Sequence, residues 1–475
     1  MNPARINPSL IETIDYIRLG SVTPLDILEF CYDNYINKKI FNVLISEEYQ
    51  YYIDHLKKTG NSYVRKYSNN VLYGIPIIVK DNIHVKRFFN TAGTSALSNF
   101  RPDADAWIVD KLKSHGAIIV GKANMHELSL GATSHNYAFG HVRNAHDFSL
   151  IAGGSSGGSA VAVALGLSPI AIGTDTAGSI RIPAALNGII GFRPSLNRYS
   201  SKGITPVTPS RDVPGVLATC VADVRLLDEL IFDDPDTICN EPDSSSRTRI
   251  GIVRDFFYVG VDDKILDIIE EKISLLKENG FEIIELEFPE LSTYNDIVST
   301  VIGLYEFWPA MEHYLREYAP QIDMNVLVES VASKQIKELI SGFMSPNSLY
   351  GIDKSLYEET KTHKRPKLVN AFAEFFIKHK ISAIALPTTV SLANNINDGE
   401  NISQINGETV SSNYAYLRNT LPASNAGLPA ITIPAGKTKD NNCVGFELNG
   451  PIGSDKILLS IAEDIENIFH LKCSQ

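Results

Sequence analysis

The chain is sparing with several features that would point quickly to a function. It has 5 cysteines in 475 residues. These are Cys31, Cys220, Cys239, Cys443 and Cys473, with no C-x-x-C spacing and no matching histidine cluster, which argues against a disulfide framework and against a zinc site. Scattered thiols of this kind suit a reducing compartment, and a cytoplasmic location is expected. Positive charge is not in surplus either. The formal net charge is -12, whereas a general nucleic-acid binder needs clustered Lys and Arg to neutralise phosphates. The same acidity disfavours a polyanionic substrate. Long apolar runs are missing: the N-terminus, MNPARINPSLIETIDYIRLG, has no uninterrupted apolar stretch of the secretory kind. No later segment approaches the roughly 18 apolar residues of a membrane span, so no membrane partner is expected. No internal repeat or low-complexity tract occurs, which removes solenoids and propellers.

What is present reads as an ordinary folded chain. Hydrophobic residues make up 44% and charged residues 21%, with 32 Gly and 23 Pro, near globular averages. The length exceeds what one simple core usually supports, so either one large elaborated domain or several smaller ones must be considered. Thr23-Pro24-Leu25-Asp26 sets a capping hydroxyl before proline and an acid in the first turn, predicting a helix to about Asn37. Short apolar runs then alternate with helical patterns. GIPIIV at 74 to 79, AIIVG at 117 to 121, SPIAIG at 168 to 173, RIGIVR at 249 to 254, FEIIELEF at 281 to 288 and ISAIAL at 381 to 386 read as strands. Helical patterns lie at 103 to 116, 264 to 279 and 366 to 379. This alternation predicts a parallel α/β architecture. Two segments interrupt it: 290 to 365, long, helical and aromatic-rich, reads as a helical insertion, and the polar, Asn-rich 390 to 412 reads as a long loop.

Three stretches carry chemistry. GGSSGGSA at 153 to 160, before the apolar run AVAVALGL, is by itself either a flexible loop or an anion-binding loop at a helix N-terminus. It has neither the Gly-Lys-Ser/Thr ending of a P-loop nor dinucleotide-type glycine spacing. GTDTAGSIRIPAALNG at 173 to 188 crowds small residues and backbone amides around Ser179, an arrangement that can stabilise the oxyanion of an acyl transfer; a tight turn with a buried arginine is the plain alternative. In GIPIIVKDN at 74 to 82, Lys80 ends a strand-like run. Most such lysines reach out to solvent, but one held in a dry site loses its charge and can act as a base.

Together GIPIIVKDN, GGSSGGSA and GTDTAGSIRIPA resemble the amidase signature family. The resemblance is dense from about Gly74 to Thr219, including KANMHELSLG at 122 to 131, and sparser over NAGLPAITIPAG at 425 to 436 and VGFELNGPIGSDKILL at 444 to 459. It implies a single large α/β domain over residues 1 to 475, with a mixed, mainly parallel sheet covered by helices. The core motifs would lie at 74 to 219, the helical insertion at about 290 to 365, and the rest of the core at about 366 to 475. It further implies an amidase with Ser179 as nucleophile, Ser155 as proton relay behind a cis Gly154–Ser155 peptide, and Lys80 as base. Backbone amides of Thr176, Ala177, Gly178 and Ser179 would form the oxyanion hole, supported from behind by Asp175, Arg181 and Ser156. Ala177 departs from the family's commoner glycine and is tolerated if its φ is negative. No cofactor and no metal is required, and the expected partner is a small-molecule amide; a homodimer is left open.

The motifs YLRNTLPASNAGLPAITIP at 416 to 434 and LNRYSSKGITPVTPSRDVPG at 196 to 215 look more like the indoleacetamide and mandelamide hydrolase branch than like hydrolases of urea derivatives or of acylated amines. That favours a primary amide bearing an aryl group. Met125, Tyr305 and Trp308 are the expected pocket residues, the last two recurring with Met311 at helical spacing, although a core helix face would give the same pattern. Two other readings compete. A glutaminase subunit of a tRNA-dependent amidotransferase would usually read S-I-R-Q-P where this chain has Ile182. A catalytically silent binding module would have no need of the intact triad.

Overall fold

The computed structural model describes residues 8–59, 70–232 and 248–469, so Cys239 and Cys473 lie outside the described residues. Alternating apolar runs and helices build one sheet of 11 strands that takes residues from both halves of the chain. Its strands are β1 (Leu44–Glu47), β2 (Pro76–Lys80), β3 (Ile118–Ala123), β4 (Ile170–Asp175), β5 (Ile190–Arg193), β6 (Val213–Ala218), β7 (Arg249–Ile252), β8 (Glu282–Glu285) and β9 (Ala383–Pro387), together with β12 (Ala430–Lys437) and β13 (Cys443–Asn449). β10 (Ile402–Ile405) and β11 (Glu408–Ser411) form a separate hairpin. The order across the large sheet is β1-β3-β2-β4-β6-β5-β12-β13-β9-β7-β8. It is a mixed sheet. β2 runs parallel to both β3 and β4, and β7 parallel to both β8 and β9, while antiparallel pairings through β6, β5, β12 and β13 join the two groups.

The central strands are apolar and buried on both faces, as strands covered by helices must be. Every residue of β2, β4, β5, β6, β9 and β13 is buried. The helix expected from Thr23 runs from Pro24 to Asn37 with a full capping box between Thr23 and Asp26. Residues 107 to 114, 263 to 278 and 365 to 379 are helical where the periodicity predicted helices.

Segment 290 to 365 is helical, led by the 30-residue helix Pro289–Tyr318 and including π-helical turns at Ile340–Met344 and Thr360–Lys364. Its apolar face packs with Ala92, Leu97, Phe100, Leu128 and Val207 in a core cluster of its own. This layer forms part of the cavity described below. Segment 390 to 412 is not the structureless loop expected from its composition, because the β10–β11 hairpin lies within it. The overlooked signal is Asn406-Gly407, both at positive φ (51° and 84°), the pairing a tight two-residue hairpin turn favours.

Candidate active site

β2 and β4 are neighbouring parallel strands, so their carboxyl ends emerge side by side, where crevices form in open α/β sheets. Lys80 is the last residue of β2 and Thr174 the penultimate residue of β4. Lys80 is completely buried, with Nζ 2.7 Å from Ser155 Oγ and 2.8 Å from Thr174 Oγ1. Asn82 Nδ2 donates to the same Thr174 oxygen at 3.1 Å. Burial drives the Lys80 pKa down from 10.5 to about 7, against Asp175 and Asp212, whose charges favour the ammonium form. The strand end thus holds an amine that can be neutral near neutral pH while touching a serine hydroxyl.

The glycine-rich loop is positioned by close backbone contact. The Gly154–Ser155 peptide is cis, and the helix Gly157–Ala164 follows directly. At Gly158 a Cβ would lie 2.3 Å from the carbonyl oxygen of Asn124, so no larger residue fits where this helix crosses β3. Ser156 ties the loop to β4 and to the nucleophile turn: its Oγ donates to Thr174 O at 3.1 Å and its N–H to Ser179 O at 3.1 Å.

The turn after β4 presents Ser179, 6% exposed, to a cavity of about 680 Å³. Its hydroxyl has no hydrogen-bond partner among the described residues. The contact between the Ser155 and Ser179 hydroxyls is therefore not formed, a common state of catalytic hydrogen bonds before substrate tightens them. Of the four amides considered for an oxyanion hole, that of Gly178 is committed elsewhere, donating to Asp175 Oδ1 at 2.9 Å. This corrects the expectation from the sequence: the carboxylate of Asp175 takes up that N–H, while the N–H groups of Thr176, Ala177 and Ser179 find no acceptor among the described residues. Ala177 is not at positive φ, so its methyl group introduces no backbone strain, whereas Gly178 sits at φ 123°.

Behind the turn lies a fully buried ionic cluster. Asp175 receives Arg181 Nε at 3.0 Å and Nη2 at 3.1 Å, and Arg193 Nη1 at 2.9 Å. Arg181 Nη1 reaches Glu447 Oε1 at 2.6 Å. Burial pushes Asp175 up, but the two guanidinium charges outweigh it and hold its carboxyl below the usual carboxylate range. Burial also raises Glu447 to about 7, with Arg181 opposing. Arg193, Glu447, Thr174, Asn82 and Asp212, whose Oδ1 accepts from Thr176 Oγ1 at 2.6 Å, were not identified from the sequence. Thr174 and Asn82 stand within the motifs already noted, but nothing in the linear pattern shows that Asn82 and the Lys80 amine converge on the Thr174 hydroxyl.

The three expected pocket residues lie elsewhere. Met125 is buried, its Cγ behind Gly93, and does not line the Ser179 cavity. Tyr305 and Trp308 line a second cavity of about 530 Å³, and Tyr305 stacks on Tyr357 at 3.9 Å. The reason is helical geometry. Each residue turns about 100° round the axis, so Gly303 lines the Ser179 cavity, Leu304 borders both cavities and Tyr305 lines only the second. The insertion does form a wall of the cavity, through Asn295, Ser299, Gly303 and Leu304 of its long helix and Leu339 and Met344 beyond. The small and polar residues at 295, 299 and 303 were the readable sign of that face.

This fold and this motif set have known counterparts. Residues 26–459 match the Amidase family model. The chain belongs to the amidase signature family. It is 36% identical to an indoleacetamide hydrolase of Agrobacterium vitis over 467 residues, 98% of this chain and 97% of that protein. It is 38% identical to a mandelamide hydrolase of Pseudomonas putida over 410 residues, 84% of this chain and 78% of that one. Among solved structures, the native peptide amidase of Stenotrophomonas maltophilia superposes with a TM-score of 0.82 at 25% identity, covering 98% of this chain and 97% of that one. This family member is an amidohydrolase, similar in sequence to indoleacetamide and mandelamide hydrolases. Among the described residues no helix is long and apolar enough to cross a membrane.

Proposed function

We propose that this amidase hydrolyses small primary amides bearing an aryl group, through an acyl-enzyme on Ser179. The observation that carries the reading is the fully buried Lys80, with a pKa near 7, at 2.7 Å from Ser155 beside the cavity that presents Ser179. Neutral Lys80 takes the proton of Ser155 as Ser155 takes that of Ser179, whose oxygen attacks the amide carbon. The free N–H groups of Thr176, Ala177 and Ser179 are the available donors for the oxyanion. Lys80 then returns its proton through Ser155 to the leaving nitrogen, releasing ammonia, and water repeats the sequence to free the acid.

The aryl preference draws support from the walls and from the relatives. Leu130, Leu304, Leu339, Met344, Phe256 and Leu421 make much of the lining apolar, and a cavity of this size suits a ring buried with its carboxamide directed at Ser179. The relatives are named for amides of arylacetic acids. A panel of primary amides assayed by ammonia release tests this. Phenylacetamide or indole-3-acetamide is expected to show a higher kcat/KM than acetamide or glutamine, and a preference for glutamine or for a long-chain secondary amide overturns it.

A further inference from the structure

The wall of the Ser179 cavity holds a cation that this chemistry does not use. Arg211, just before β6, is 4% exposed and lines the cavity with Ser179 and Ala177. The neighbouring buried arginines, Arg181 and Arg193, each hold a carboxylate at 3.0 Å or closer. Arg211 has no carboxylate oxygen within 4.0 Å among the described residues. Its Nη1 donates to Asn425 Oδ1 at 2.9 Å, its Nη2 makes only a long contact of 3.5 Å to Thr208 Oγ1, and its shielded Nε has no acceptor. A guanidinium has five N–H donors, so most of this capacity is unused.

The opposite wall is shaped around the group. Gly303 lies inside the helix Pro289–Tyr318, a position where glycine is unfavourable. A Cβ there would stand 2.5 Å from Arg211 Nη2, and Gly303 lines the same cavity. The glycine makes room for the guanidinium. Burial lowers the Arg211 pKa to about 10, with Asp212 and Glu306 favouring the charge from a distance. The group therefore stays cationic at neutral pH, with its charge partly balanced and its donors under-used. Asp296 and Arg418 also line the cavity. Asp296 favours the Arg418 charge, and Arg418 donates to the carbonyls of Val259 and Phe256. These two charges offset one another, and the selection of a neutral group falls to the partly balanced Arg211.

We propose that Arg211 is a specificity-determining residue that recognises a neutral acceptor oxygen, a hydroxyl or ether, on the acyl part of the amide bound at Ser179. The inference rests on the aryl-amide reading above and adds the polar group such a substrate carries. The test measures kcat/KM by ammonia release for phenylacetamide and for its hydroxyl, methoxy and carboxyl derivatives, substituted at the α carbon or on the ring. Wild type, Arg211→Met and Gly303→Ala are compared by the ratio of each derivative to phenylacetamide. Wild type is expected to favour at least one neutral oxygenated derivative. That ratio should fall roughly 10- to 100-fold in Arg211→Met, the range for a hydrogen bond to a charged group. It should also fall in Gly303→Ala, which displaces the guanidinium without removing its charge. A merely structural role would lower both substrates together, and an unchanged ratio overturns the proposal. A carboxyl derivative favoured by wild type and lost in Arg211→Met overturns the neutral acceptor. No turnover of any aryl amide by wild type overturns the aryl-amide reading and this inference together, whereas turnover with an unchanged ratio overturns this inference alone.

Discussion

Lys80 is where burial should be felt most directly in catalysis. A solvated lysine, with a pKa of about 10.4, is neutral in only roughly one molecule in two thousand at pH 7. Burial lowers the Lys80 pKa to about 7, which makes about half the molecules neutral and multiplies the available base by about a thousandfold. The corresponding preference for the neutral amine is roughly 5 kcal/mol, at about 1.4 kcal/mol per tenfold change. The sign follows: protonation removes the base, so kcat/KM for phenylacetamide should fall about tenfold per pH unit below pH 7 and level off above it. Asp212 favours the ammonium form, so Asp212→Asn should move the midpoint to lower pH. Lys80→Arg keeps a cation at the strand end but cannot release a proton at any accessible pH, and should lower kcat/KM by about a thousandfold or more. The assay is ammonia release between about pH 5 and 11, with circular dichroism to check folding. A midpoint between pH 9 and 10, a flat profile, or a folded Lys80→Arg enzyme with wild-type turnover would refute the reasoning.

Two further outcomes are expected. Ser179→Ala should abolish hydrolysis with the fold intact and lose the covalent adduct that a fluorophosphonate forms on wild type by intact mass, while Ser155→Ala should be less severe; a mass shift retained in Ser179→Ala removes that serine as nucleophile. Asp175→Asn leaves Arg181 and Arg193 without their shared carboxylate charge inside the protein and should destabilise it by about 3–5 kcal/mol, read as a lowered unfolding midpoint in urea; a midpoint within experimental error of wild type counts against the cluster as a structural element.

Much of this protein is legible in one dimension because the relevant physics is local. Thr23 and Asp26 cap a helix within one turn, and β2, β4 and β9 are short apolar runs bounded by turn residues. The catalytic candidates could be singled out because their environments are written beside them: Lys80 closes a buried strand, and Ser155 and Ser179 sit among residues too small to hinder close backbone approach. The β10–β11 hairpin was equally local and was missed because the Asn-rich composition concealed the Asn406-Gly407 turn.

Other features belong to the tertiary structure alone. Thr174 meets Lys80 and Asn82 only because β2 and β4 pair in parallel, and no linear spacing states that register. Asp175 takes the Gly178 N–H because the turn folds back onto its own strand end, so counting amides in the motif could not tell which remain free. Helical periodicity marked the aromatic stripe of the insertion, but the rotation of that helix about its axis decided that Asn295, Ser299 and Gly303, not Tyr305 and Trp308, line the Ser179 cavity. The sequence by itself determined which groups could do chemistry and which segments are strand or helix, since those depend on near neighbours. Which groups share a dry site, and therefore which proton can move at neutral pH, was decided by strand order and helix rotation, because burial and distance arise only when residues far apart in the chain are packed together.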